Sequence, residues 1–117
     1  MLHKVYRLPS PQMPRVMKYG IRIMGNGITL IYKTNTDSRL RGNDNTSRFS
    51  FIVSKNVDKR ATARNRVKRL LSESIRHVIG YMARPVDAVV IGGKELVGLE
   101  QMEVEQRIKK LVLGIKY

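Results

Sequence analysis

Residues Arg48 to Gly80 read RFSFIVSKNVDKRATARNRVKRLLSESIRHVIG, and this run decides the fold. It opens as a strand over Arg48 to Ser54. Phe49, Phe51 and Val53 share one face, and Ser50, Ile52 and Ser54 share the other. The period then changes. From about Ala61 to Ile79, at 100° per residue, Val67, Leu70, Leu71, Ser74, Ile75 and Val78 fall on one helical stripe, and Gly80 closes the helix. Asn65, Arg66, Lys68, Arg69, Ser72, Glu73 and Arg76 fall on the rest, so the helix packs its apolar side down and shows a guanidinium-rich side outward. After the break at Arg84-Pro85, Val86 to Ile91 (VDAVVI) is nearly all apolar, as in a strand buried on both faces. Strand, helix, strand in this order predicts a parallel pair joined by a crossover.

Upstream, Ser10-Pro11 reads as an N-cap followed by proline at the first helical position, and Gly20 as the matching C-terminal glycine. That predicts a short helix over about 11–19. Ile28 to Lys33 is a β-rich run, and Ile21 to Met24 a weaker one. Gly25-Asn26-Gly27 between them makes either a hairpin turn or a bulge. The polar stretch over 34–47 reads as a mobile loop. Downstream, Gly92-Gly93-Lys94 lacks the full phosphate-loop spacing and reads as a turn. A last helix over about Gln101 to Leu113 turns Val104, Ile108, Leu111 and Val112 inward. The expected fold is a single-domain α/β (α+β) sandwich, a small mixed sheet with packed helices in the order α-β-β-α-β-α.

Charge points to the partner. The 117 residues carry a net charge of +14, with no cysteine. Residues 1–81 hold 17 Lys or Arg against four acids, and residues 82–117 hold six against five. The excess therefore lies on the surface built by the first two thirds, where it attracts phosphate backbones. Lys55, Lys59, Arg60, Arg64, Arg66, Lys68 and Arg69 crowd into fifteen positions with Asp58 as the only acid. Arg presents forked donors that match phosphate and base edges, and Asn65 both donates and accepts. A membrane-surface role calls for large apolar anchors opposite a basic face, and this chain has no Trp and two Phe. No run reaches a membrane span, and the first residues lack the apolar region of a secretory signal, so a cytoplasmic location is expected.

Protein-centred catalysis finds little support. His3 and His77 are isolated, and the nine acids form no D-x-D or H-x-E pattern. Glu100 and Glu103 sit where they complement a helix dipole. Glu73 has Arg69 and Arg76 within reach on its own helix. A stand-alone metal nuclease is therefore disfavoured.

Val53-Ser54-Lys55, then Arg64-Asn65-Arg66, Val67-Lys68-Arg69 and Glu73, resembles the signature of the bacterial ribonuclease P protein family. Arg7-Leu8, Val16 and Gly20, and the strands Leu30 to Tyr32, Arg48 to Lys55 and Val86 to Ile91, fit the family's remaining pattern. The resemblance implies an accessory subunit of a ribonucleoprotein endonuclease that removes the 5′ leader of precursor tRNA. It implies that the catalytic RNA and its Mg²⁺ ions perform the chemistry, with no metal site in the protein and no obligate protein partner. It implies a left-handed crossover, against the general rule. RNA contacts are then expected from Lys55, Lys59, Arg60, Arg64, Asn65, Arg66, Lys68, Arg69 and Arg76. A cleft for the single-stranded leader is expected to include Met13, Met17, Tyr32 and Phe51. Met13 and Met17 stand where the family carries aromatics, and methionine cannot stack as a ring. Ser72 stands where an Arg is usual. The competing class is a non-enzymatic RNA-binding protein of ribosomal type, which uses the same basic helix without affecting precursor cleavage.

Overall fold

In the computed structural model, residues 7–8, 10–34, 47–81 and 86–115 are described. Four strands form one sheet: β1 (Ile21–Gly25), β2 (Ile28–Thr34), β3 (Arg48–Ile52) and β4 (Val86–Gly92), in the spatial order β1-β2-β4-β3. The β3–β4 pair is parallel and the other pairs are antiparallel. Three helices pack on the sheet: α1 (Met13–Tyr19), α2 (Ala61–Val78) and α3 (Gln101–Leu113). The mixed sheet and the α2 crossover between parallel strands match the expected class. The order gains one element, because the weak run at Ile21 is a strand of its own. Its pattern is faint because β1 is an edge strand, with Ile21 and Met24 well exposed.

Strand alternation divides the molecule into two apolar layers. Ile28, Leu30, Tyr32, Phe49, Ala88 and Val90 point to the side covered by α2 and α3, where they meet Val67, Leu71, Ile75, Val78, Val104 and Ile108. Ile31 and Val89 point the other way and meet Val16 of α1 and Leu8. β4 is buried throughout on its α2 side and at Val89 on its α1 side, where Asp87 and Ile91 are half-buried, so both of its faces carry packing, in keeping with its apolar run.

The turn left open by the sequence is a two-residue hairpin. Gly25 pairs with Ile28, and Asn26 and Gly27 between them have φ of 51° and 85°. Both angles are positive, as a type I′ turn requires. The α3 helix holds this turn, with Arg107 Nη1 donating to Asn26 O at 2.7 Å.

The first helix begins later than expected. Ser10–Gln12 is a 3₁₀ turn, and α1 starts at Met13 with Pro14 in its first turn. Gly20 is not a left-handed cap; its φ is −77° and ψ 163°. Glycine is needed there for close approach, since a Cβ would lie 2.5 Å from Val16 O and 2.9 Å from Tyr32 O. After β4, Gly93 N donates to Gly27 O at 2.7 Å, and an unanticipated 3₁₀ turn follows at Lys94–Leu96. The loop expected over 34–47 falls largely on residues 35–46, and Arg84-Pro85 on 82–85; both lie outside the described residues.

Arg48 ties α1's entrance to the sheet. It makes a two-pronged contact with Asp87 on the neighbouring strand, both N···O distances 3.2 Å, and donates to Gln12 Oε1 at 2.6 Å. Both charged side chains are mostly sheltered, at 13% exposure. Charge-assisted hydrogen bonds in such settings contribute about 1.5–3 kcal/mol. Arg48→Ala is therefore expected to lower the unfolding free energy by about 2 kcal/mol in urea titration. A change below about 0.5 kcal/mol contradicts the role.

Candidate nucleic-acid interface

The entrance to α2 is built by the one acid in the basic run. Asp58 Oδ1 accepts from Arg60 N at 2.9 Å and Arg60 Nε at 3.1 Å, and Oδ2 accepts from Arg60 Nη2 at 2.9 Å. These hydrogen bonds from Arg60 hold the Asp58 carboxyl at a pKa of about 2, below its ordinary 3.8. The depressed value carries a sign. The pairing is fully present above pH 3.8 and is lost as pH falls through about 2, so the helix entrance is unchanged across the neutral range. A carboxyl NMR titration is expected to find a midpoint near 2; a midpoint near 4 contradicts the pairing.

Arg64 closes the same turn from the helix side. Its Nη1 donates to Asp58 O at 2.9 Å and Lys59 O at 3.0 Å, and the residue is half-buried. Arg64 is one of the expected RNA contacts, and its Nη1 also brackets the backbone that leads into the helix. Arg76 pairs with Glu73 at 2.9 Å. Lys55, Lys59, Arg66, Lys68 and Arg69 are exposed and form no ion pair among the described residues. These five, with exposed Asn65, form the part of the predicted set that is open to an incoming phosphate.

A groove of about 450 Å³ runs between β3 and α2 beside this basic face. Phe49, Ser50 and Phe51 line it from the strand, and Asn65, Lys68, Arg69 and Ser72 from the helix. Arg7 and Leu8 flank the β3 edge, with Leu8 N donating to Phe49 O at 2.8 Å. Ser72 was placed on the solvent side of α2 by periodicity, yet it is 5% exposed. Its hydroxyl donates to Arg69 O at 3.0 Å. Helical spacing cannot reveal that this side of α2 faces a neighbouring strand.

The expected four-residue cleft divides between the two faces of the sheet. Met13 and Met17 lie on α1, Met13 packed against the cluster of Val16, Ile31 and Val89 and Met17 39% exposed. Tyr32 and Phe51 lie on the opposite face, in the layer under α2 and α3. Tyr32 is 1% exposed and offers no stacking surface. The cause is strand parity: Ile31 and Ile52, each one residue away, take the α1 side. On that side Met24, Thr29, Ile91 and Ile52 stand in register across the four strands, next to α1. Met24 is 70% exposed, so this row is open. At the end of α1, Tyr19 is 62% exposed, with Lys18 Nζ 5.3 Å and Lys33 Nζ 5.9 Å from its ring centroid. The sequence reading passed over Tyr19. Its signal is an aromatic between a lysine and a glycine at a helix end, with a lysine of β2 near its ring.

Asp58, Asp87, Glu73 and Glu105 are engaged by Arg60, Arg48, Arg76 and His77 respectively. Among the described residues no three His, Asp or Glu side chains converge on a common point. Glu100 and Glu103 occupy the cap and first turn of α3, as the dipole reading expects. His77 meets Glu105 of α3 and bridges two helices. Among the described residues no helix is long and apolar enough to cross a membrane.

The family model for Ribonuclease P matches residues 2–116. The ribonuclease P protein component of Marinomonas sp. (strain MWYL1) is 38% identical over 73 residues, which cover 62% of this chain and 54% of that protein. The chain thus matches about half the length of that curated relative. Among solved structures, the RNase P protein from Thermotoga maritima superposes with a TM-score of 0.79 at 22% identity, covering 95% of this chain and 98% of the other. The Staphylococcus aureus RNase P protein gives 0.74 at 19% identity, covering 93% of each. At these identities the structural matches speak to the fold.

Proposed function

The chain belongs to the Ribonuclease P family, and on that premise we propose that it is the protein subunit of a ribonucleoprotein that trims the 5′ leader from precursor tRNA. The observation that carries this reading is the outward face of α2, where Arg66, Lys68 and Arg69 stand exposed in a stretch without acids from Lys59 to Ser72. Such a face neutralises backbone phosphates and orders folded RNA. Its own residues bind and orient; hydrolysis belongs to the catalytic RNA with its Mg²⁺. Asp58 and Arg64 act one step back, fixing the helix entrance that aims the exposed cations.

The leader lies on the opposite side, along α1. Met13, Met17, Ile52, Ile91 and Met24 offer an apolar floor for extended bases, and Tyr19 with Lys18 and Lys33 supplies a ring and two charges at its end. Work in the cytoplasm, on newly made precursor, fits this assignment.

Reconstitution tests it. Precursor tRNA is incubated at low Mg²⁺ with the cognate ribonuclease P RNA, with and without the protein, beside a protein-only control. Cleavage at the mature 5′ end that rises strongly only with both components is the expected result. Tight RNA binding without stimulation refutes the subunit role and leaves a structural RNA-binding protein. Cleavage by protein alone moves the chemistry into this chain.

A further inference from the structure

We propose that the groove between β3 and α2 receives one unstacked nucleotide of bound RNA, its base against Phe51 and its phosphate on Lys68 and Arg69. The proposal deepens the RNA-binding reading above and rests on it. A flat basic surface needs no groove to bind phosphates, yet here the exposed cations border a concavity of about 450 Å³. That is within the range of small-ligand sites, about 300–1,000 Å³. Its inner wall is a half-buried aromatic side chain, Phe51, which packs on the core behind it and so is held in place. Ser72 keeps the slot open, because its short side chain turns back to Arg69 O instead of reaching into the space. Asn65 at the margin can donate to and accept from a base edge. Aromatic wall, amide edge and basic rim together match a nucleotide: a π-face, hydrogen-bonding edges and an anion. Charge complementarity favours this occupant over an apolar peptide segment, which would leave Lys68 and Arg69 beside it without anions.

Two substitutions separate a base slot from a merely basic surface. Ser72→Arg adds a positive charge and fills the slot. A charged surface alone predicts tighter RNA binding; a base slot predicts weaker binding. Phe51→Leu keeps an apolar side chain against the core but removes the ring. Full-length wild-type and variant proteins are titrated against the catalytic RNA, and against precursor tRNA on the assembled enzyme, over a range of salt. Circular dichroism melts accompany each variant. The expected result is about a tenfold loss for each variant, the change expected for one lost base–aromatic contact. Phe51→Leu should leave the salt slope unchanged, since no phosphate contact is removed. Loss on the catalytic RNA assigns the nucleotide to that molecule; loss confined to the precursor assigns it to that substrate. Folded Phe51→Leu protein that binds both RNAs as the wild type does overturns the groove and leaves the subunit reading standing, as does folded Ser72→Arg protein that binds more tightly. A wild-type protein without affinity for either RNA overturns both.

Discussion

Removing Arg66, Lys68 and Arg69 together, each to Ala, is expected to lower affinity for the catalytic RNA about 100-fold near physiological salt. All three are exposed on α2, and none has an ion-pair partner among the described residues. Truncating them breaks no ion pair among the described residues, so the melting temperature should stay within a few degrees of wild type. The effect on RNA should be large, because each phosphate contact releases a counterion. The plot of log affinity against log salt loses about 0.7–0.9 units of slope per contact, so a triple variant flattens it by about 2 to 3 units. Arg64 behaves differently. Its guanidinium holds the carbonyls of Asp58 and Lys59, so Arg64→Ala should loosen the helix entrance as well as weaken binding. Arg64→Lys should restore it only in part, because both carbonyls are met by Nη1 at the end of a rigid plane, and a strongly hydrated ammonium on a flexible stem is held there less firmly. Equal salt slopes for the triple variant and the wild type contradict the assignment of this face.

Leu71→Ala is expected to have the largest effect on stability, a loss of about 3 kcal/mol. Leu71 is fully buried in the layer between α2 and the sheet, among Val67, Ile75 and the β4 side chains. Deleting it forfeits transfer energy and leaves a cavity in a layer whose neighbours come from separate elements. For a domain with a total stability of about 5–15 kcal/mol, that is a substantial fraction. The same variant tests the relation between fold and function. On the proposed reading RNA docks on the folded face of α2, so a saturating concentration of catalytic RNA should recover part of the lost melting temperature. The triple variant on α2 should show the opposite pattern, normal melting alone and little gain from RNA. Urea titration and thermal melts with and without RNA measure both. A Leu71→Ala loss below about 1 kcal/mol contradicts the packing described.

The sequence was most legible where one face of an element is buried and the other wet. The bounds of α3 and the apolar stripe of α2 follow from period alone, because Val67, Leu71, Ile75 and Val78 have charged neighbours that mark the other side. It was least legible where a strand is apolar on both faces. In ITLIYK and RFSFIV the residues alternate between two cores, and nothing in the letters says which core belongs to α1. The resemblance grouped Tyr32 and Phe51 with Met13 and Met17, and strand alternation alone could not test that grouping. Only the register places Ile31 and Ile52 on the α1 side. Edge strand β1 was faint because half of its side chains meet solvent. Ser72 was misread because a helix side that is polar in sequence can still face a strand from elsewhere in the chain, here β3 across the groove. The basic run itself was plain, but its internal division was not. Asp58 and Arg64 build the turn, whereas Arg66, Lys68 and Arg69 point to solvent, a separation that appears only when the hydrogen bonds are traced.

The central claim is that RNA docks on the outward face of α2, and the absence of cysteine makes it directly testable. Thr62→Cys, exposed on α2, and Leu113→Cys, exposed at the end of α3, each create a single attachment point for a tethered radical-generating iron chelate. Each labelled protein is bound to the cognate ribonuclease P RNA and the cleaved positions are mapped. The account predicts a discrete set of cuts from position 62 and few or none from position 113. Discrete cuts from position 113 with none from 62 would place the RNA at the end of α3 instead and contradict it.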